Sequence, residues 1–440
     1  MSPRKWQASE DLLRLFQAVG RASLLYDIQD SHSGNMAVRW TDERGEDQIV
    51  ITATGSQKGD LDPNQICFLS STETDAGYYK ASSETDIHAR ILALPGVRAS
   101  MHAHVKELIM ATLDDAPKPA RPPDFVPVDP LARSYFGSAI PVDWFAVPSG
   151  SPEMAKTVSE RLAAHPLAII FGHGAMTRGR TLKEAFFRLC VANEAGHVVR
   201  LLWKLGVDVE ALRKRIGEVP EHSFAYAPPP FEDDADGDCD FPEEEEILKE
   251  FLKAGNRIFE SRLSPFHTGS MSVRGVDSML YAPKASMPRD LPGPLLRLPL
   301  PVDAADHPEV GLHKQIYAES DFQTVMHCYV PEAEASAQYV YPGETGPTDR
   351  VIPIDAEGSF LYLVIPVLQP DFKTPKLVRL LQDYKVVIVR GGGIWAVGGQ
   401  SLSEVLHHPS SLREICLYRI AAVERGLDLR KMEPRKARKW

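Results

Sequence analysis

The strongest constraint on the fold is that the chain repeats itself. His32-Ser33-Gly34-Asn35-Met36-Ala37-Val38-Arg39 returns as His267-Thr268-Gly269-Ser270-Met271-Ser272-Val273-Arg274. Glu84, His88 and His102 return as Glu309, His313 and His327, each 225 residues further on (309 − 84, for example). Late in each half an apolar run enters a glycine turn, 168–171 before Gly172-His173-Gly174 and 386–389 before Gly391-Gly392-Gly393. Each turn leads to a capping box, Thr181 with Glu184 and Ser401 with Glu404. In such a box the hydroxyl and the carboxylate satisfy the orphan N–H groups at a helix start. A period this long is far above the roughly 20–50 residues of a solenoid unit. The chain is therefore expected to hold two copies of one domain.

The copies are expected at 1–220 and 243–428, joined by 221–242 and followed by a basic tail at 429–440. The linker runs Ala227-Pro228-Pro229-Pro230-Phe231-Glu232-Asp233-Asp234-Ala235-Asp236-Gly237-Asp238. Proline, glycine and acidic residues in a row cannot build a core. The run lacks the spacing of an EF-hand loop and its closing glutamate. The tail carries Arg430-Lys431 and Arg435-Lys436-Ala437-Arg438-Lys439, which reads as a solvated end.

Composition narrows the function classes. A net charge of −11 speaks against general nucleic-acid binding, which needs a basic face for phosphates. The five cysteines are scattered without a C-x-x-C pair, as expected for reduced thiols in a cytoplasm. No apolar run is long enough to span a bilayer, and the first residues lack the apolar core of a signal peptide. The expected protein is cytoplasmic, with no nucleic-acid or membrane partner.

Within the first copy the pattern predicts a helix over 11–25, a strand around Gly34-Asn35, and a strand over 48–52. A helix near Glu84 and a strand from Val97 follow. Residues 117–130 are proline-rich and read as a loop or lid. A helix over 152–164, a strand over 167–171 and a long helix over 181–205 close the copy. Helices and strands mix without strict alternation, which predicts a layered α/β domain with a mixed sheet, present twice.

The chemistry gathers on Ser82-Ser83-Glu84 and His102-Ala103-His104. Side chains two apart on a strand point the same way, so His102 and His104 form half of a metal clamp. His173, at the exit of a buried strand, is the natural third ligand. A catalytic metal site keeps three protein ligands and one open position. Such an ion polarises a carbonyl and stabilises an enediolate, and Glu84 is the candidate to move the proton. Ser83 is expected to cap the Glu84 helix. A helix N-terminus with hydroxyls also suits an anion. His32 reads first as a turn residue, with a side chain reaching the pocket as the alternative.

Gly34-Asn35-Met36-Ala37-Val38-Arg39, Thr52-Ala53-Thr54-Gly55, Ser82-Ser83-Glu84, His102-Ala103-His104 and Gly172-His173-Gly174 together resemble the class II aldolase/adducin family. Its members include L-fuculose-phosphate aldolase and L-ribulose-phosphate 4-epimerase. The resemblance implies a layered α/β/α fold with a mixed central sheet. It implies that His102, His104 and His173 bind one divalent metal per chain, with zinc expected, and that Glu84 transfers the proton. Asn35, Thr54, Gly55, Ser82 and Ser83 would form the pocket for a substrate phosphate. The implied activity is a metal-dependent aldolase acting on a small phosphorylated sugar. Epimerase or dehydratase chemistry at the same site is the alternative, as is a non-catalytic, adducin-like scaffold. Family aldolases often add a tyrosine after the metal strand, but here none occurs after His104 until Tyr135, which leaves the second acid/base unassigned.

The second copy matches more weakly. Tyr329 stands where His104 would be, and no histidine lies near Gly391-Gly392-Gly393. Ser270 replaces Asn35, Lys284-Ala285 replaces Thr54-Gly55, and His307-Pro308 replaces Ser82-Ser83. A metal-free second copy is expected. Because family enzymes resemble rings of four subunits, the chain is expected to form a homodimer that imitates a tetramer.

Overall fold

The computed structural model describes residues 10–30, 32–41, 45, 47–69, 79–115, 118, 120–218 and 245–433. The linker at 221–242 and residues 434–440 of the tail lie outside the described residues. By contacts the chain divides into two units, one of residues 1–127 and 135–196, the other of 128–134 and 197–440.

The first unit is built on a seven-stranded sheet. Its strands are β1 (Asn35–Thr41), β2 (Asp47–Thr52), β3 (Ile66–Leu69), β4 (Ala99–Ala103), β5 (Val142–Asp143), β6 (Leu167–Ile170) and β7 (Gly174–Gly179). They lie in the order β3-β2-β1-β4-β7-β6-β5. Among the described residues of this sheet only β5 and β6 pair in parallel, so the sheet is mixed. The predicted helices appear as Glu10–Leu25, Pro152–Ala164 and Leu182–Lys204. Thr181 and Glu184 form the expected cap: Thr181 Oγ1 accepts from the Glu184 N–H at 3.2 Å, and Glu184 accepts from the Arg180 N–H at 2.5 Å. The helices Thr85–Leu92 and Pro152–Ala164 cover one face of the sheet. Ile87, Ile91, Met154, Val158 and Leu162 pack there on Ala37, Ile51, Ala168, Ile170 and Met176.

The second unit repeats the plan with one strand more. Its strands are β8 (Ser270–Arg274), β9 (Ser278–Ala282), β10 (Leu296–Pro299), β11 (Thr324–Cys328), β12 (Arg350–Val351), β13 (Ile365–Leu368), β14 (Val386–Val389) and β15 (Gly393–Gly398). Their order is β10-β9-β8-β11-β15-β14-β13-β12. Alternation with period two sends neighbouring residues to opposite faces. Met326, Ile388 and Ala396 join a core with Phe251, Ile258 and Ile415, whereas Val325, Val387 and Trp395 join another with Leu312, Ile316 and Leu381. The sheet is thus sandwiched between helical layers, the α/β/α arrangement expected of each copy. The tail begins as part of this unit: Leu429–Met432 is a short helix, Leu429 is buried, and Arg419 binds Glu433 at 3.0 Å.

One local expectation differs. The helix near Glu84 starts at Thr85, with Glu84 at the N-cap position and no side-chain cap. Ser83 is therefore not the cap. Thr85 Oγ1 instead donates to the Ser82 carbonyl at 2.6 Å, and Ser82 Oγ accepts from the Glu84 N–H at 3.3 Å. The shift leaves the Ser83 side chain exposed at the helix start.

Candidate metal centre

Strand β4 lies at the middle of its sheet, between β1 and β7. Its end carries His102, and His104 follows just beyond it. His173 sits in the tight turn between β6 and β7, where its N–H donates to the Ile170 carbonyl at 3.0 Å. The three imidazoles face one another, with ring centroids 5.5 Å apart for His102 and His104, 4.7 Å for His102 and His173, and 5.1 Å for His104 and His173. One nitrogen of each lies within 4.8 Å of the others. Among the described residues no other group of three His, Cys, Asp or Glu converges in this way.

The hydrogen bonding leaves the right atoms over. His102 Nδ1 donates to the Ala175 carbonyl at 3.0 Å, which fixes the tautomer and turns Nε2 inward. His102 Nε2 and His173 Nδ1 are buried with no hydrogen-bond partner. Unpaired buried nitrogens are costly unless a ligand satisfies them. Burial, with His102 nearby, lowers the pKa of His104 and pushes that of His173 down to about 4. Neutral imidazoles with free lone pairs are what a divalent cation requires. The residues fit a metal ion.

Glu84 stands beside the triad. Its Oε2 lies 3.9 Å from His102 Nε2 and accepts from Asn35 Nδ2 at 2.7 Å, while its Oε1 is buried and unpartnered. Burial pushes the carboxyl up, but His102, the Asn35 amide, His88 and His173 together hold it below its ordinary value. Asn35 is fixed in turn. His88 Nε2 donates to Asn35 Oδ1, and Ser100 Oγ donates to His88 Nδ1 at 2.5 Å. His88 is fully buried, which pushes its pKa down to about 4, so the relay runs through a neutral ring. Asn35 reaches this position because β1 pairs with β4, setting Asn35 opposite His102. Gly34 makes the approach possible: its φ is 72°, and a Cβ there would stand 2.4 Å from the His102 carbonyl oxygen.

All the residues singled out from the sequence, Asn35, Thr54, Gly55, Ser82, Ser83, Glu84, His102, His104 and His173, border one open cavity of about 170 Å³. His32 and Ser149 border it as well. Ser149 comes from a loop without a motif, and nothing in the sequence pointed to it. His88 and Ser100 were also missed as site residues, although His88 was visible as part of the repeat. Tyr135 does not line this cavity; its ring packs edge-on against Phe187 at 4.8 Å. A larger hollow of about 540 Å³ in the second unit has no histidine or cysteine in its lining.

The equivalent place in the second unit is filled. His327 Nδ1 pairs with Glu309 Oε1 at 2.9 Å, and Nε2 donates to the Gly392 carbonyl at 2.8 Å. Both ring nitrogens are thus engaged. Trp395 stacks on His327 with centroids 4.8 Å apart. Ser270 Oγ donates to Glu309 at 2.5 Å and meets His313 Nε2 at 2.8 Å. Tyr329 is buried.

Comparison with known proteins agrees with this architecture. The family model described as "Class II Aldolase and Adducin N-terminal domain" matches residues 14–199 and again 249–420. The chain belongs to the class II aldolase and adducin N-terminal domain family, with two copies of the domain. It is 30% identical over 184 residues to a 5-methylthioribulose-1-phosphate/5-deoxyribulose-1-phosphate aldolase of Rhodospirillum rubrum, covering 42% of this chain and 70% of that one. It is 28% identical over 163 residues to a probable bifunctional methylthioribose-1-phosphate isomerase/methylthioribulose-1-phosphate dehydratase of Nocardia farcinica, covering 35% of this chain and 29% of that one. A solved L-fuculose-1-phosphate aldolase from Thermus thermophilus is similar at 23% identity and a TM-score of 0.36, covering 47% of this chain and 98% of that one. Among the described residues no helix is long and apolar enough to cross a membrane.

Proposed function

We propose that the first copy is a divalent-metal-dependent lyase acting on a small phosphorylated sugar, with aldol cleavage as its reaction. The observation that carries this reading is the convergence of three imidazole nitrogens within 4.8 Å of one another, with Glu84 Oε2 3.9 Å from one of them. His102, His104 and His173 would hold the ion, and zinc suits an all-imidazole set. When bound, the ion supplies Lewis acidity beside the substrate carbonyl.

The remaining roles belong to the chain. Asn35 holds one oxygen of Glu84, leaving Oε1 as the atom that takes a proton from the substrate and returns it. The neutral His88 and Ser100 keep Asn35 from rotating, so the carboxylate does not have to reorganise during the transfer. Thr54, Gly55, Ser82 and Ser83 hold the substrate's anionic end at the helix start.

Dehydration is the second reading, favoured by the named activity of the Nocardia farcinica relative. It starts instead with removal of the proton on the carbon next to the carbonyl and expels the β-hydroxyl group, whereas aldol cleavage removes the β-hydroxyl proton and breaks the carbon–carbon bond. The second copy, with both His327 nitrogens engaged, would carry no ion and would serve as a scaffold in a homodimer. The deciding experiment is a screen of ketose 1-phosphates, including 5-methylthioribulose and 5-deoxyribulose 1-phosphates, with the zinc-loaded protein. Aldehyde release supports aldol cleavage and loss of water supports dehydration. Neither, across the series, overturns the reading.

A further inference from the structure

We propose that the chain pairs with a second copy of itself through two different faces, each left bare where its counterpart in the repeat is covered. Residues 353–363 and Tyr418 in the second copy of one chain seat on the helix Lys106–Thr112 in the first copy of the other. The proposal rests on the homodimer reading above.

The pattern for this contact is already made within the second unit. Residues 128–134 and 197–218 belong to the first copy in sequence, yet by contacts they fall in the second unit. There Val128 and Pro130 share a cavity with Glu334, Gln338 and Gly391. His197 Nε2 lies 3.7 Å from Glu332 Oε1. The receiving surface is the helix Pro331–Ala337, whose residues are all buried.

The sheet register identifies the equivalent residues. Asp143 pairs with Ile170, and Ile170 with Gly174. Leu368 pairs with Val389, and Val389 with Gly393. Asp143 and Leu368 are therefore equivalent, with an offset of 225 (368 − 143). The same offset carries 128–136 onto 353–361, and the helix Lys106–Thr112 onto Pro331–Ala337 (331 − 106). The capping boxes give 220 (401 − 181), which carries Val198 onto Tyr418.

Both halves of the contact then recur without a cover. Phe136 and Val198 are buried, whereas their equivalents Leu361 and Tyr418 are exposed, and Phe360 is 77% exposed. Tyr362 is buried on extended backbone, with φ −137° and ψ 124°. Its neighbours Leu361 and Leu363 are thus turned outward together, and both are exposed. Leu361 and Tyr418 border the hollow of about 540 Å³. On the receiving side Met110 and Leu113 are exposed, Leu113 at 58%, where the second copy has the buried Ala335 and Gln338. Clustered large apolar side chains on a surface mark a site of association. Each chain has one bare face of each kind. Two chains that exchange them form a closed pair in which neither face is left over.

The exchange also gives the second copy a place at the metal site. Gly391 is the counterpart of Gly172, which precedes His173, and the helix Lys106–Thr112 follows His104 closely. Residues 353–355 of the other chain therefore flank the turn that carries one of the three imidazoles.

The test is sedimentation velocity of the full chain over a dilution series. It compares the wild type, Phe360→Asp, Leu113→Asp and Val276→Asp. Val276 is 93% exposed in the second unit and outside the contact, so it controls for a new surface charge. We expect a dimeric wild type and a dimeric Val276→Asp. Phe360→Asp and Leu113→Asp should each weaken self-association about thirtyfold, the effect of losing one hot-spot side chain. Circular dichroism should match the wild type throughout, with Phe360→Ser and Leu113→Ser as milder replacements should a charge disturb the fold. A monomeric wild type overturns the proposal together with the homodimer reading, and assigns the two faces to another protein. A dimer insensitive to both variants overturns this contact and leaves the homodimer standing. Sensitivity to only one of them means a face that meets its own copy, which also overturns it. None of these outcomes bears on the lyase reading, which is judged by turnover.

Discussion

Asn35 Nδ2 donates to Glu84 Oε2 at 2.7 Å across a sequence separation of 49 residues. That bond leaves the other carboxylate oxygen unpartnered in a buried position, beside the triad. It joins the candidate base to strand β1, while His102 lies on the neighbouring strand β4.

The bond makes Asn35→Ala informative. Without the amide, Glu84 loses the donor that fixes its rotamer, and His88 loses its acceptor. Turnover should fall about a hundredfold, the lower range for a disabled general base. The metal content should not change. Metal analysis and steady-state rates on the same preparation check this together.

Gly34→Ala should damage the site through the backbone. The residue has a φ of 72°, and the new Cβ would press on the His102 carbonyl oxygen 2.4 Å away. A destabilisation of about 2 kcal/mol is expected from a residue forced into a left-handed conformation against backbone. Denaturant unfolding would read it, with reduced metal affinity as the accompanying sign that His102 has moved.

Glu334, in the second unit, gives a pH prediction. Burial raises its pKa to about 7, with Asp129 adding repulsion, although the Gly391 N–H donates to the carboxylate at 2.8 Å and Arg390 lies nearby. A carboxyl with a raised folded pKa contributes stability at acid pH that is lost as pH rises through that value. At pH 8 the buried charge costs about 3 kcal/mol, and at pH 5 under about 1 kcal/mol. Glu334→Gln should therefore raise the melting temperature at pH 8 and change it little at pH 5. A pH-independent effect would show that the carboxyl titrates normally.

The sequence exposed the repeat, both sheets and the triad because each leaves a local mark. His102 and His104 are two apart on one strand, and His173 sits in a glycine turn. What it hid was long-range. The contact of His88 with Asn35 spans 53 residues and needs the sheet assembled before it exists. Ser83 reads as a helix cap because a serine three residues before an acid usually is one. Here the helix begins at Thr85, and Ser82 supplies the local bonds instead. His32 sits in a turn capped by Asp30 and also borders the cavity, and its other restraints, Gln57 and Lys58, come from a later segment. Ser149 lies in a loop whose course is set by Gly150 against Ser83, which no pattern encodes.

The most direct test of the account is the metal content of the purified full chain, by elemental analysis, for the wild type, His104→Ala and His327→Ala. The account predicts about one divalent ion per chain in the wild type, the same in His327→Ala, and none in His104→Ala. A wild type that binds no ion after exposure to zinc, or a His104→Ala variant that keeps a full equivalent, would contradict it.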